Sequence, residues 1–128
     1  MKKVKRGELL GLSGRPFQVP ARDEQDNVIW KDETRGIPEF TTATVDSILI
    51  AIILGILPQL LTRQDSIHAT RLYNQIKGSA NDNLVLIEDA EWDWVMSKLA
   101  NDNIGPKIFG VNLYVIEERL KELAKKED

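Results

Sequence analysis

The feature that most constrains this fold is an unbroken apolar run, ILIAIILGIL, at residues 48–57. Every face of a helix or strand built from these residues is apolar, so none can be a water-facing side. A chain of 128 residues normally folds around one core. We therefore expect the run to be buried on all sides, as the central element of that core or as part of a subunit contact.

The run is too short to cross a membrane, which requires about 20 mainly apolar residues. Asp46 precedes it, and Pro58 and Arg63 follow it. The basic start of the chain leads into no apolar stretch, so we expect no cleaved signal peptide. The absence of cysteine agrees with a reducing compartment. The net charge of −3 argues against a nucleic-acid-binding surface that covers the whole protein.

Residues 1–40 are punctuated by proline and glycine, and we predict that they form an arm of short strands and loops. Residues 8–12 and 17–19 flank a turn that contains Gly14 and Pro16. Glycine tolerates positive φ, and proline is excluded from central strands. The pattern therefore predicts an N-terminal β-hairpin.

The rest of the arm predicts a loop and a third strand. Residues 21–27 have no apolar side chain beyond alanine to anchor them, so we expect an exposed loop. Residues 28–30 are apolar and predict a short strand before a turn at residues 35–38.

From residue 41 onward the pattern is helical. Thr41, Thr42 or Thr44 can cap a first helix that carries Asp46 in its first turn and extends through the apolar run to Pro58. Its isoleucines leave a strand as the alternative. Length favours the helix, because typical strands have only about 5–6 residues.

A second helix is marked at both ends. Asp65 or Ser66 is the predicted cap, and Gly78 stands where a left-handed residue commonly ends a helix. Its predicted apolar face consists of Ala69, Leu72, Tyr73 and Ile76.

Residues 84–87 predict a brief extended segment that could pair with the N-terminal hairpin. The third helix follows, with acids crowded at its start, where the helix dipole favours them. These acids are Glu88, Asp89, Glu91 and Asp93. They could instead bind a divalent cation or act as acid and base, but both roles need convergent partners that one segment does not supply. We favour the structural interpretation.

The last predicted helix begins near Pro106 and is amphipathic. Its apolar positions are Phe109, Leu113, Ile116, Leu120 and Leu123, and its i,i+4 ion pairs are Glu117 with Lys121 and Glu122 with Lys126. The predicted fold is therefore α+β: a helix-dominated single domain of about four helices, with residues 1–40 as the hairpin arm and 41–128 as the helical core.

The sequence contains no catalytic, cofactor or metal motif, and we assign no such residues. His68 is the single histidine, and it has no cysteine with which to form a usual transition-metal site. We expect a surface or boundary histidine. Gly11 and Gly14 lie in no phosphate-binding pattern, so they predict a turn.

Aromatic residues are the best candidates for binding a partner. Trp92 and Trp94 cannot both lie at the centre of one helical face, and we expect Trp94 to turn outward. Trp30 and Phe17 lie in the arm. We predict Trp94, Trp30 and Phe17 as partner-binding residues. The alternative is that the outward tryptophan packs beneath the arm.

The chain resembles small bacteriophage and prophage proteins, many of them without a known function and some proposed to act in tail or virion assembly. The resemblance rests on LLGLSGRP at residues 9–16, TVDSIL at 44–49, ATRLY at 69–73 and LIEDAEW at 86–92, followed by a closing amphipathic helix. It implies a viral accessory or assembly role in the host cytoplasm or the virion. Its motifs are structural and imply no functional residues.

Three functions follow as hypotheses. The favoured one is a non-enzymatic interaction protein, a phage virion or tail assembly factor that binds viral or host proteins and forms a homo-oligomer, most simply a dimer. The alternative is a small nucleic-acid-binding regulator with a loose helix-turn-helix around Gly78 and a basic arm composed of Lys2, Lys3, Lys5 and Arg6. A hydrolase that uses the acids of the third helix is the least favoured. We expect no membrane partner.

Overall fold

Six short strands and five α-helices are present in residues 1–79 and 83–124, which the computed structural model describes. The strands are β1 (Lys2–Lys5), β2 (Gln18–Pro20), β3 (Trp30–Asp32), β4 (Ile37–Pro38), β5 (Phe40–Thr42) and β6 (Leu84–Ile87). The helices are α1 (Val45–Gly55), α2 (Arg63–Gly78), α3 (Asp89–Ala100), α4 (Gly105–Phe109) and α5 (Leu113–Leu123). The chain is an α+β single domain, as predicted.

Helix α1 carries most of the apolar run. Thr44 is its cap: the Thr44 side chain accepts a hydrogen bond from Ser47 N at 3.2 Å, and Ser47 Oγ accepts one from Thr44 N at 2.8 Å. Such a reciprocal pair satisfies two backbone donors that a helix start leaves open. The helix ends at Gly55, before Pro58.

Burial of the apolar run is one-sided, so the expectation of burial on all sides is wrong within this chain. Ile48 and Ile52 are completely buried, whereas Leu54 and Leu57 are 51% and 48% exposed. Helices α2, α3 and α4 pack against α1. A domain of this size has too few elements to enclose the C-terminal end of the helix as well.

The cap of α2 is Thr62, and the predicted caps Asp65 and Ser66 lie inside the helix. Thr62 Oγ1 accepts from Asp65 N at 3.1 Å, while Asp65 Oδ2 accepts from Thr62 N at 3.0 Å. Asp65 is thus the returning partner of the cap. Gly78 is the last helical residue, without positive φ, and Ser79 is the C-cap.

The predicted last helix is interrupted. Gly110 adopts a φ of 57°, which ends α4, and a 3-10 turn leads into α5. Glycine adopts this left-handed conformation without the steric penalty that a side chain brings. On α5, Glu117 Oε1 lies 3.8 Å from Lys121 Nζ. Lys126 lies outside the described residues.

The N-terminal hairpin prediction is wrong. Residues 8–12 form no strand, and only a single bridge joins Leu10 to Pro16. The first strand is β1, which pairs antiparallel with β6 and places Val4 opposite Val85. Both valines are completely buried. Leu10 and Leu12 are exposed, so a hairpin at residues 8–12 would have no continuous apolar face.

Strands β2 and β5 pair between two three-way backbone junctions. In the first, Leu9 N donates to Ala43 O, Ala43 N to Phe17 O, and Phe17 N to Leu9 O, at 3.4, 2.7 and 2.8 Å. The second junction has the same cyclic pattern: Ala21 N donates to Glu39 O, Glu39 N to Ile29 O, and Ile29 N to Ala21 O, at 2.8 to 2.9 Å. These cycles hold the three extended segments of the arm together. Among the described helices, none is long and apolar enough to span a bilayer.

Candidate interaction surface

The arm exposes an apolar face next to β3 and β5. Trp30 lies directly opposite Pro38, and Phe40 lies directly opposite Pro20. Alternate residues of an extended chain share a face, so Pro38 and Phe40 point the same way. Trp30 and Phe40 are 45% and 58% exposed. We call Pro20, Trp30, Pro38 and Phe40 the arm face; Ile29 and Ile37 are also exposed in the arm.

The loop at residues 21–27 is exposed at residues 23–25 and 27, as predicted, but it is also anchored to the helical core. Asp26 has a positive φ of 62°, and its carboxylate accepts a hydrogen bond from the Tyr73 hydroxyl of α2. Asp26 Oδ2 also lies 3.5 Å from Lys77 Nζ. The hydrogen bond to Asp26 raises the pKa of Tyr73 above its ordinary value of 10.0. Asp26 therefore joins the arm to the helical core.

Phe17 is a half-buried residue at the base of the arm. Its ring meets that of Phe109 edge-on, with centroids 6.2 Å apart and planes at 64°. This arrangement is favourable for aromatic pairs. Phe17 thus connects the arm to α4, and its exposed area is smaller than that of Trp30.

The prediction that Trp94 turns outward is wrong. Trp92 and Trp94 are both buried, at 7% and 6% exposure. The Trp94 indole Nε1 donates to Asp65 Oδ1 at 3.0 Å, and the ring of His68 stacks on it with centroids 6.3 Å apart. Because α2 supplies these partners, the indole is buried on the side of α3 that was predicted to face solvent. Helical spacing within α3 contains no signal of this contact.

Asp65 is the centre of a buried polar cluster. Lys98 Nζ lies 2.8 Å from Asp65 Oδ1, which also accepts the indole hydrogen bond. Burial alone would raise the pKa of Asp65. The hydrogen bonds from Lys98, the Thr62 backbone and Trp94 outweigh burial and hold that pKa well below its usual range. The ionised form of Asp65 is therefore part of the α2–α3 contact.

Glu91 lies in the first turn of α3, as predicted, but it is also buried and bonded to side chains of α2. Its Oε2 lies 2.8 Å from His68 Nδ1, and its Oε1 accepts from Gln75 Nε2 at 2.8 Å. Burial alone would raise the pKa of Glu91. The hydrogen bonds from His68 and Gln75 outweigh burial and hold that pKa below its usual value. His68 is half-buried, which agrees with a boundary position.

A histidine–carboxylate pair can assist proton transfer when the second ring nitrogen faces a nucleophile. Here His68 Nε2 lies 3.3 Å from Gln64 Nε2, and the described hydrogen-bond partners of the ring are Gln64 and Glu91. The His68–Glu91 pair therefore joins α2 to α3.

The other acids of α3, Asp89 and Asp93, are exposed, and Asp89 Oδ1 lies 3.1 Å from the N-terminal amine. Across the described ranges, no three potential ligands are grouped to hold a metal ion.

The basic N-terminus is divided between two environments. Lys3 and Lys5 are exposed on β1. Arg6 instead binds Asp46 at the start of α1 through two bonds, Nε to Oδ1 at 2.9 Å and one terminal nitrogen to Oδ2 at 3.1 Å.

The helix-turn-helix prediction around Gly78 is wrong, because β6 lies between α2 and α3 and that motif needs a turn of about 3–4 residues.

Comparison of the chain with protein-family models, with curated proteins and with solved structures found no match.

Proposed function

We propose that this protein is a non-enzymatic interaction module that binds another protein through the arm face. One observation carries the proposal: the large apolar side chains of residues 29–40 are exposed on an arm that is itself fixed to the core. Aromatic side chains commonly supply most of the energy of a protein interface. Trp30 and Phe40 are its proposed anchors, and Phe17 supports the arm.

The anchoring of the arm supports this role. Two backbone junctions and the Asp26–Tyr73 bond fix the segments that carry Trp30 and Phe40. A surface that is ordered before binding loses less conformational entropy when the partner docks. Exposed segments on a rigid support are a common place for recognition.

The resemblance to bacteriophage proteins suggests the setting. We propose a virion or tail assembly factor whose partner is a viral or host protein, acting in the host cytoplasm or within the virion. The proposal requires no cofactor and no catalytic residue.

Quantitative affinity capture from the native host tests the proposal. The immobilised wild type is compared with the double variant Trp30→Ser, Phe40→Ser and with a matched control, Leu12→Ser, Val111→Ser, which removes two exposed apolar side chains elsewhere. We expect one partner to be retained by the wild type and the control and lost by the arm variant. Equal retention by all three folded proteins would contradict the proposal.

A nucleic-acid-binding regulator is the second candidate. The exposed Lys3 and Lys5 on β1 favour it. Binding that neutralises several phosphates weakens steeply with added salt. Affinity for duplex DNA with a steep salt slope, lost in Lys3→Glu, would favour the regulator over the interaction module.

We also propose that the protein self-associates, most simply as a dimer. Residues 47–62 contain no charged side chain, and three exposed leucines lie within them: Leu54, Leu57 and Leu61. Beside them, Ile53, Leu61 and Ala69 line an apolar groove between α1 and α2. A surface that combines a ridge with a groove can be complementary to its own copy across a two-fold axis.

A further inference from the structure

A second groove, lined by both apolar and polar groups, lies between the arm and the helical core. It has a volume of about 280 Å³ and is bounded by β2, the C-terminal end of α1, and α4. Pro20, Leu54 and Ile108 contribute apolar lining. The groove continues the arm face, because Phe40 lies opposite Pro20 in the β2–β5 pair.

The charge of this groove has one sign. Arg22 and Lys107 line it, and no acidic residue does. Arg22 donates to the main-chain oxygen of Asp26 at 2.9 Å, and within the described residues neither side chain forms an ion pair with a carboxylate. Arg22 also lines a neighbouring cleft, whose acidic residues are Asp23, Asp26 and Asp46. The groove is thus a local cationic site on a chain whose net charge is −3.

We propose that the groove binds an acidic segment of a partner protein. An apolar side chain of that segment packs near Pro20 and Ile108, and its carboxylates pair with Arg22 and Lys107. Complementary charge of this kind steers association and selects among partners. The groove is open to solvent, whereas small-molecule sites enclose about 70–90% of their ligand, so a peptide segment fits it better than a small amphiphile.

The inference extends the proposed function by stating the chemistry of the partner, but its test does not use Trp30 or Phe40. Random-peptide display is carried out on the full-length wild type, on Lys107→Glu and on the control Lys3→Glu, which reverses an exposed lysine on β1. We expect peptides selected by the wild type and the control to be acidic with apolar residues interspersed.

Fluorescence anisotropy then measures the best selected peptide against each protein. We expect Lys107→Glu to weaken binding about tenfold, equivalent to about 1.4 kcal/mol, Lys3→Glu to have little effect, and a peptide with its glutamates changed to lysine to bind Lys107→Glu better than the wild type. Circular dichroism confirms that both variants are folded.

Three results would overturn the inference: no enrichment of acidic peptides, equal binding by the wild type and Lys107→Glu, or displacement of the peptide by micromolar decanoate, which would identify a small-amphiphile site. Its failure is separable from that of the proposed function. Cellular capture that is independent of the arm, with peptide binding that depends on Lys107, would remove the proposed function and retain the groove. The reverse pattern would retain the arm face and remove the groove.

Discussion

Asp26, in the arm, accepts a hydrogen bond from the hydroxyl of Tyr73, which lies 47 positions later in α2. This bond joins the loop at residues 21–27 to the helical core and positions the strands that carry the arm face. We expect Tyr73→Phe to leave the core folded but to accelerate amide hydrogen exchange in residues 18–42. Local opening of the arm then requires less free energy, because this hydrogen bond no longer has to be broken. Unchanged exchange would show that the junctions alone hold the arm. Tyr114→Phe, at an exposed tyrosine, is the control.

The ionisation of Tyr73 gives a second, spectroscopic prediction. The chain has two tyrosines, so Tyr114→Phe leaves Tyr73 as the one that titrates. Its hydrogen bond to Asp26 favours the neutral phenol and raises its pKa, so the ultraviolet titration midpoint should lie above 10.0. Adding Asp26→Asn removes the negative charge and should move the midpoint downward. A midpoint at or below the ordinary value in the first variant would contradict the contact.

The one-sided burial of α1 predicts unequal effects of two neighbouring substitutions. Ile52→Ala should reduce the free energy of unfolding by about 2–5 kcal/mol, because it leaves a cavity in the core. Leu54→Ala should change it by about 0.5 kcal/mol or less, because Leu54 is half exposed. Urea denaturation at protein concentrations low enough to prevent association measures both. Similar losses at the two positions would mean that the exposed end of α1 is covered.

Acid should destabilise the protein through Asp65 and Glu91. Both have a pKa lowered by folding, so the unfolded chain takes up protons first as the pH falls. Their contribution is complete above the ordinary carboxyl range near pH 4 and is lost below it, as the pH falls toward the folded-state values. Urea midpoints measured from pH 7 to pH 3 should therefore decrease.

Asp65→Asn tests the source of that decrease. It should lower stability at pH 7, because Lys98 and Trp94 lose a buried carboxylate partner, and it should flatten the profile between pH 5 and pH 3. Asp93→Asn, on the exposed side of α3, controls for the loss of one carboxylate. An Asp65→Asn profile as steep as that of the wild type would assign the acid sensitivity to other groups.

Self-association should depend on the uncharged leucine surface. Light scattering over a concentration series should show a mass above that of one chain at high micromolar concentration, and Leu57→Ser, Leu61→Ser should restore the monomer mass. Leu12→Ser, Val111→Ser should leave the association intact. A wild type that remains monomeric throughout would remove the proposal of a dimer.

The sequence by itself determined the local features of this protein. Most of the apolar run is helical because the run is long and is preceded by Thr44, which forms reciprocal hydrogen bonds with Ser47, three residues later. The apolar spacing on α2 likewise predicted the burial of Leu72 and Ile76. These outcomes depend on propensity, capping and periodicity, which are properties of short segments.

Tertiary structure decided what depends on distant partners. Val4 pairs with Val85, Trp94 is buried because Asp65 and His68 lie on the facing helix, and Asp26 meets Tyr73. No pattern within one segment predicts these contacts. A buried indole or carboxylate needs hydrogen-bond partners, and here those partners come from other parts of the chain. The sequence had pointed to Trp30, but the exposure of Phe40 and the burial of Trp94 came from packing alone, because burial is set by what covers a side chain.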